Sequence, residues 1–365
     1  MEQTPLIELK GEGLALGQAH GEALRDIIKE FAARAADVHL PNLKLKTDRD
    51  ALIALCRENV GHLQKYSPVL WAELEGVAQG ADLNLDDVLL LNSFLELDDL
   101  RAPTVGGRRL APALWGCTTF NVKPRATADG RPLLGQTYDM ELFYAKFNVL
   151  LKITGPDGRQ RLIYTLSGIL GLNGLNSEGL AVVINKLAPV DGRPGVLYPF
   201  IARRLLDQPR VGDAFGAVVF TDRASGLNWQ LSSAEGPAFC LETTATRYAN
   251  LPFDFSLAHA NHYLDPQLRA LEAPNWLSHG GSFVRQQVAQ AFLDERQGQL
   301  TAEQLKELTC NHVNHPRSIC AHGNPGEPDH FSFNSISAVI IEPAERRLHF
   351  AGCHPCLSGY RTLTL

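Results

Sequence analysis

The chain has 365 residues, a formal net charge of −6, and 45% hydrophobic against 20% charged residues. That balance describes a globular chain with enough apolar material for a substantial core, and one poorly suited to nucleic acid or an anionic membrane surface, since such partners call for clustered Lys and Arg. The longest apolar runs, Val88–Leu91 and Ala338–Ile341, fall far short of the roughly 18 residues needed to span a bilayer. The opening MEQTPLIELKGEG has no basic segment followed by an apolar one, so no secretory signal is expected. Seven cysteines, an odd number thinly spread, read as reduced thiols in a cytoplasm.

The first hundred residues carry helical spacing. Leu24, Ile27, Ile28, Phe31 and Ala35 fall on one face within Gly13–Val38. Thr47 followed by Asp50 predicts a capped helix through Leu52, Leu55, Val60 and Leu63. Ser67-Pro68 starts another that ends at Gly80, and Leu85–Leu97 supplies a fourth. Arg101–Gly116, with its prolines, glycines and arginines, has no usable period and reads as an exposed, strained connection.

From Cys117 the pattern changes to strands and tight turns. Thr118–Val122 and Leu133–Thr137 flank Ala128-Asp129-Gly130-Arg131, and Phe147–Thr154 and Arg161–Leu166 flank Gly155-Pro156-Asp157-Gly158; both pairs predict hairpins. Leu180–Ile184, Ala217–Phe220, Asn228–Ser232, Ala238–Glu242, Ile336–Ile341 and Arg347–Phe350 add further strand candidates. Helices are predicted at Tyr198–Leu206 and Phe283–Asp294, and the Thr301/Gln304 capping box opens Ala302–Leu308. A helical front followed by antiparallel hairpins implies an α+β plan of sheets between helices.

The sharpest local feature is Trp115-Gly116-Cys117-Thr118-Thr119-Phe120, placed where the helical half meets the sheet half. Cysteine is nucleophilic through its thiolate. Glycine before it leaves the preceding carbonyl unshielded and the backbone free to strain. Attack of the Cys117 thiol on the Gly116 carbonyl would give a thioester, whose hydrolysis frees an α-amine on Cys117. Such an amine has an unperturbed pKa of about 7.7–8.0 and suits a general base near neutral pH. On chemistry alone, the tetrapeptide also reads as a strand start with a buried thiol.

The segment Gly-Cys-Thr-Thr-Phe, followed by Leu134-Gly135-Gln136-Thr137-Tyr138-Asp139, resembles the penicillin (isopenicillin N) acyltransferase family of self-processing N-terminal-nucleophile (Ntn) enzymes. Gly13–Gly21, Gly171–Asn185, His259-Ala260-Asn261-His262 and Ser318-Ile319-Cys320-Ala321-His322 resemble further family segments, in order along nearly the whole chain. The resemblance implies a four-layer αββα sandwich, with residues 1–116 as a helical pro-segment that stays docked after cleavage and 117–365 as the catalytic chain. It also implies roles. Cys117 would be the nucleophile for self-cleavage and turnover, and Asp139 would hold the freed amine. Asn261 would donate its side-chain amide to the oxyanion, and Thr119 would assist self-cleavage. Asn176 and Asn185 are further candidates for the substrate pocket. The expected reaction is acyl transfer through a Cys117 thioester. The donor would be a small amide or an acyl-CoA, the acceptor water or an amine, and no cofactor is called for.

Two departures stand out. Thr137 replaces the asparagine that many relatives carry two residues before the aspartate, and the terminal Thr362-Leu363-Thr364-Leu365 is not the peroxisomal address of fungal members. Each implied residue also has a plainer reading: Asp139 as a turn cap, Asn261 as a loop residue, and the Gly/Asn run at Gly171–Gly179 as turn chemistry. A narrower hydrolase of N-acyl amines or bile-salt-like conjugates is the alternative within the class.

The competing constellation is Cys310, His312, His315, Cys320 and His322, with Cys353 and Cys356 downstream. Zinc uses such ligands, which keeps a zinc-stabilised binding protein as the alternative of another class. The spacings lack a paired Cys-x-x-Cys knuckle except at Cys353–Cys356, so no metal ligand is assigned from sequence. No Gly-x-Ser-x-Gly elbow is present to suggest a serine hydrolase.

Overall fold

The computed structural model describes residues 3–42, 49–101, 104–105, 108–109, 116–274, 276–324 and 333–365. A short strand, β1 (Leu6–Lys10), precedes six helices: α1 (Gly13–Ala23), α2 (Arg25–Asn42), α3 (Arg49–Arg57), α4 (Val60–Tyr66), α5 (Pro68–Ala81) and α6 (Leu85–Arg101). The helix expected over Gly13–Val38 is broken at Leu24, whose backbone leaves the helical region. Ser67 caps α5 by accepting from the Leu70 N–H, as its sequence predicts, and Asp82 closes it in a left-handed conformation at φ 53°. Thr47, expected to cap α3, lies outside the described residues. Of the connection at residues 101–116, the small ladder of β2 (Thr104–Val105) and β3 (Arg108–Arg109) is described.

Two larger sheets follow. One has the order β1-β6-β7-β8-β9-β10-β11-β12, from β6 (Asn148–Thr154), β7 (Gln160–Leu166), β8 (Asn173–Asn176), β9 (Leu180–Lys186), β10 (Leu227–Ser233), β11 (Ala238–Thr243) and β12 (Tyr248–Asn250). The other has the order β13-β4-β5-β14-β15-β16, from β4 (Gly116–Val122), β5 (Leu133–Glu141), β13 (Ser256–His259), β14 (Phe333–Glu342), β15 (Arg347–Gly352) and β16 (Arg361–Thr364). The sheets face each other through β4 and β5 against β9 and β10. Helices α7 (Tyr198–Leu206) and α8 (Val211–Val219) cover the outer face of the first. The long α10 (Trp276–Glu295) and α11 (Ala302–Thr309) cover the second. Two short helices, α9 (Pro266–Arg269) and α12 (Pro355–Ser358), complete the chain. The α+β, four-layer αββα sandwich expected from the sequence is therefore present.

Both predicted hairpins form, as β4–β5 and β6–β7. Ala217–Phe220, read as a strand, is instead the end of α8. Val211, Ala214 and Val218 are its buried residues, a helical spacing that the short run Ala-Val-Val-Phe conceals. Strands β1, β8 and β13 went unpredicted because β1 is a polar-flanked edge, β8 lies in a Gly/Asn run that reads as a turn, and β13 spans four residues.

The helical front is part of the core. β1 adds a parallel edge strand beside β6, and Asn92 of α6 donates from Nδ2 to Gly168 O at 2.9 Å while its Oδ1 accepts from Leu170 N at 3.0 Å. Glu96 accepts from Tyr198 N at 2.7 Å, Glu73 is ion-paired with the buried Arg203, and Asp99 is paired with both Lys186 and Ser225. Ile28, Phe31, Leu74, Val88, Leu91 and Phe94 share one apolar cluster with Phe147, Tyr164 and Trp229 from the sheet side.

Candidate active site

Cys117 is the second residue of β4, one strand in from the edge of its sheet. Alternation along a strand sends Cys117, Thr119 and Asn121 to one face and Gly116, Thr118 and Phe120 to the other. The first face is the one between the sheets, since Asn121 donates to Leu231 O of β10 at 2.9 Å. The second faces α10, whose Arg285 donates to Thr118 Oγ1 at 3.2 Å. Cys117 is buried, at 3% exposure. Burial, reinforced by the Asp139 carboxyl and opposed by Arg285, pushes its thiol up to about 12, so the thiol carries its proton in the continuous chain.

The register pairs Gly116 directly with Asp139. A Cβ added to Gly116 would stand 2.9 Å from Asp139 Oδ2 and 3.1 Å from its Cβ, contacts real Cβ atoms avoid. Glycine is thus required at this position for a close approach: the carboxyl packs over the Gly116–Cys117 junction. Asp139 Oδ1 accepts from Ser335 Oγ at 2.7 Å, whereas the buried Oδ2 accepts no hydrogen bond from the described residues and has the Arg285 guanidinium 3.9 Å away. Burial raises the Asp139 carboxyl to about 7, with Arg285 and Ser335 acting in the opposite sense. This buried oxygen over Gly116 keeps room for a hydrogen-bond donor.

Asn261 also meets Cys117, with its oxygen foremost. Its Oδ1 accepts from Cys117 N–H at 2.8 Å and from Arg285 Nη2 at 2.9 Å, while its Nδ2 donates to Lys186 O at 3.1 Å. Two donors converging on one atom fix which end of the amide is oxygen. The residue expected as an oxyanion donor is therefore, in the continuous chain, an acceptor that holds the Cys117 backbone.

Thr119 and Asn185 meet beneath Cys117, where Thr119 Oγ1 donates to Asn185 Oδ1 at 2.6 Å and accepts from Gln230 Nε2 at 2.9 Å. Asn176 is not brought to this group. Its Oδ1 accepts from Glu178 N and Leu180 N, closing a turn, and its Nδ2 donates to Leu206 O and Gln208 O at the end of α7. Of the neighbouring histidines, His259 spends both ring nitrogens, on Ala260 O and the buried Glu242, and His262 bonds Ser282 Oγ.

Sequence reasoning missed Arg285, which donates from Nη1 to Cys117 O at 2.7 Å. The signal was available. Ser282, Arg285, Ala289 and Leu293 form the buried stripe of α10, and an arginine on such a stripe needs a polar partner. Arg285 also lines a cleft with Gly116, Asp139, Gly281, Arg317, Ser318, Ala321 and Phe333. Ser335, the partner of Asp139, was missed too; its role comes from cross-strand register on β14.

The Cys/His constellation gathers differently from its order in sequence. His312, Cys320, His322 and Cys356 converge, with one ligand atom from each lying within 4.8 Å of all the others. Cys310 is not among the four. The spacing argument against a metal fails because the fourth member arrives from α12, far along the chain.

The sequence model of the acyl-coenzyme A:6-aminopenicillanic acid acyl-transferase family matches residues 126–351, which include Asp139, Asn261 and Arg285 and begin after Cys117. The chain belongs to that family. A relative from Emericella nidulans, the 40 kDa form of acyl-coenzyme A:6-aminopenicillanic-acid-acyltransferase, is 26% identical over 323 residues, covering 86% of this chain and 84% of its own. Among solved structures, penicillin V acylase from Agrobacterium tumefaciens is 12% identical over 65% of this chain and 83% of its own, with a TM-score of 0.41. A mutant of conjugated bile acid hydrolase from Clostridium perfringens is 11% identical over 68% and 97%, with a TM-score of 0.45. The resemblance read from the sequence holds, and this member of the family is an acyl-transfer enzyme of the Ntn type. No described helix is long and apolar enough to cross a membrane.

Proposed function

We propose that the chain cleaves itself between Gly116 and Cys117, and that Cys117 then transfers an acyl group from a small amide or an acyl-CoA thioester to water or an amine. The observation that carries this reading is Asp139 Oδ2, which accepts no hydrogen bond among the described residues and packs over Gly116, beside Cys117, whose N–H Asn261 holds. Hydrolysis of the Gly116–Cys117 bond, by way of the Cys117 thioester, consumes one water, leaves Gly116 as a terminal carboxylate and frees the α-amine of Cys117. That amine gains Asp139 as its carboxylate partner and serves as the base for its own thiol. In this reading residues 1–116 become a separate chain that stays docked, held by β1 beside β6 and by the α5–α6 bonds to residues 168–203. Departure of Gly116 would open the cleft beside Arg285 and Arg317 to an acyl substrate. The seven cysteines form no disulfide, which supports a cytoplasmic setting.

The test is direct. Purified protein should separate under denaturing conditions into two fragments, the larger beginning Cys-Thr-Thr-Phe. Cys117→Ala should remain one chain and release neither amine from a panel of N-acyl amines nor CoA thiol from acyl-CoA donors. An active, undivided wild-type chain would refute the mechanism.

A further inference from the structure

The four converging side chains bear on a second chemistry. His312 Nε2 and His322 Nε2 are 3.1 Å apart, Cys320 Sγ and Cys356 Sγ are 3.5 Å apart, and each sulfur is 3.5 Å from His322 Nε2. A tetrahedral zinc ion, about 2.3 Å from sulfur and 2.0–2.1 Å from nitrogen, sets its ligands about 3.8 Å (S to S), 3.6 Å (S to N) and 3.4 Å (N to N) apart. These four of the six edges match to about 0.3 Å, and all six lie within 4.8 Å.

We propose that His312, Cys320, His322 and Cys356 bind one zinc ion as a structural site. Four protein ligands of two thiolates and two imidazoles complete the coordination shell, leaving no open position for a catalytic water. Binding takes Zn²⁺ from solution, forms two Zn–S and two Zn–N bonds, and releases the two thiol protons. His312 is exposed while Cys320 is buried, which gives the ion a path in from the surface. Around the ligands the backbone is held: Cys320 N donates to Asn311 O and His322 N to Pro316 O, both at 3.0 Å. The His354 ring stacks on His322 with centroids 4.3 Å apart and its Nε2 bonds Asn334 Oδ1 at 3.1 Å, fixing the orientation of a ligand ring.

The position of the site gives it a purpose. Cys320 and His322 flank Ala321, whose N–H donates to Ser335 Oγ at 2.9 Å, and that hydroxyl donates to Asp139 at 2.7 Å. The same loop supplies Arg317, Ser318 and Ala321 to the cleft beside Gly116. Zinc would clamp this loop to α12 and fix the wall that aims Asp139.

The site does not depend on self-cleavage, and its test is separate. Tag-free protein purified without chelator should hold about one zinc per chain after exhaustive dialysis, by elemental analysis. Stripped protein should melt at a lower temperature and recover with added zinc. It should also bind Co²⁺ with a thiolate-to-metal charge-transfer band that saturates at one equivalent, in wild type and in Cys117→Ala alike. His312→Ala alters an exposed ring and should fold, yet bind Co²⁺ more than about a hundredfold more weakly, beyond the cost of disturbing outer partners alone. Three outcomes would overturn the site: wild type without zinc and without a cobalt band, a different metal in its place, or a Cys320–Cys356 disulfide in the purified chain.

Discussion

Cys117 and the pair Cys320 and Cys356 are tied to one loop, and although Cys117 and Cys320 are both buried, the groups that surround them differ. Cys117 is a single buried sulfur on a strand, with a carboxyl and a guanidinium close by and its own N–H held by Asn261. Cys320 and Cys356 face each other at 3.5 Å, with two imidazole nitrogens completing the group. The first environment keeps a thiol protonated until an adjacent base appears, which is what a latent nucleophile requires. The second gathers soft donors around a point, which is what a d¹⁰ cation requires. The loop between them, residues 317–322, contributes to both. The zinc-binding reading and the enzyme reading, rivals when only spacing is known, are thereby compatible within one molecule.

The largest effect on the nucleophile side is expected at Asn261. Its Oδ1 faces Cys117 N–H in the continuous chain, while the oxyanion role calls for its Nδ2, which here bonds Lys186 O. Asn261→Asp keeps the acceptor and removes the donor, so self-cleavage should proceed. Turnover of the matured enzyme should then fall by roughly 10²–10³ if the amide turns toward the oxyanion. Asn261→Ala should impair both steps. Equal turnover for the Asn261→Asp variant and the parent enzyme, from matched cleaved material, would confine Asn261 to holding the backbone. The zinc content should be the same in all of them.

A smaller effect, but one of defined sign, concerns Asp139. Its folded-state carboxyl lies at about 7, raised from 3.8 chiefly by burial. A raised carboxyl binds its proton more tightly in the folded chain, so its contribution to stability is full below about pH 4 and is lost as pH rises through about 7. In a Cys117→Ala background, which stays undivided, denaturant unfolding should show this loss between pH 5 and pH 8, and Asp139→Asn should flatten it. A wild-type chain cleaved as proposed would supply an ammonium beside the carboxylate, so its dependence over the same window should shrink. An undivided chain whose stability changes from pH 5 to pH 8 no differently from that of its Asp139→Asn variant would remove Asp139 from this account.

How far these features were legible in the sequence follows the range of the contacts that build them. Helices α5, α7 and α11 were readable because caps, proline positions and apolar spacing act within a turn or two. The β4–β5 hairpin was readable from its turn, and the junction at Gly116–Cys117 from local chemistry and family likeness. The reason glycine is needed there was not, because it depends on a cross-strand neighbour, Asp139, that only register brings opposite. Arg285 and Ser335 are separated from Cys117 by 168 and from Asp139 by 196 positions. Cys356 joins its partner Cys320 across 36 positions. Nothing local marks such pairings, although a charged residue on a buried helical stripe is a usable warning.

The smallest effect on turnover is expected at Asn176, and a contrast with Asn185 explains why. Both are buried amides in the segment that the sequence offered as pocket residues. Asn185 belongs to the layer beneath the nucleophile: its Oδ1 accepts from Thr119 Oγ1 and Asn228 Nδ2, while its buried Nδ2 is left without a partner. Asn176 has no capacity to spare, because its two donors and its oxygen are all committed to the turn around Ser177–Gly179 and to the end of α7. Asn176→Ala leaves two carbonyls and two N–H groups without that amide. Buried groups so exposed cost about 1–3 kcal/mol each at most, less where water reaches them. The variant should therefore melt at a lower temperature, with self-cleavage and zinc content intact. Its kcat/KM should stay within about twofold of the parent, less than about 0.4 kcal/mol in transition-state stabilisation. A loss of turnover beyond about tenfold in folded, cleaved Asn176→Ala protein would return this residue to the substrate pocket and show that the turn, too, is part of the active site.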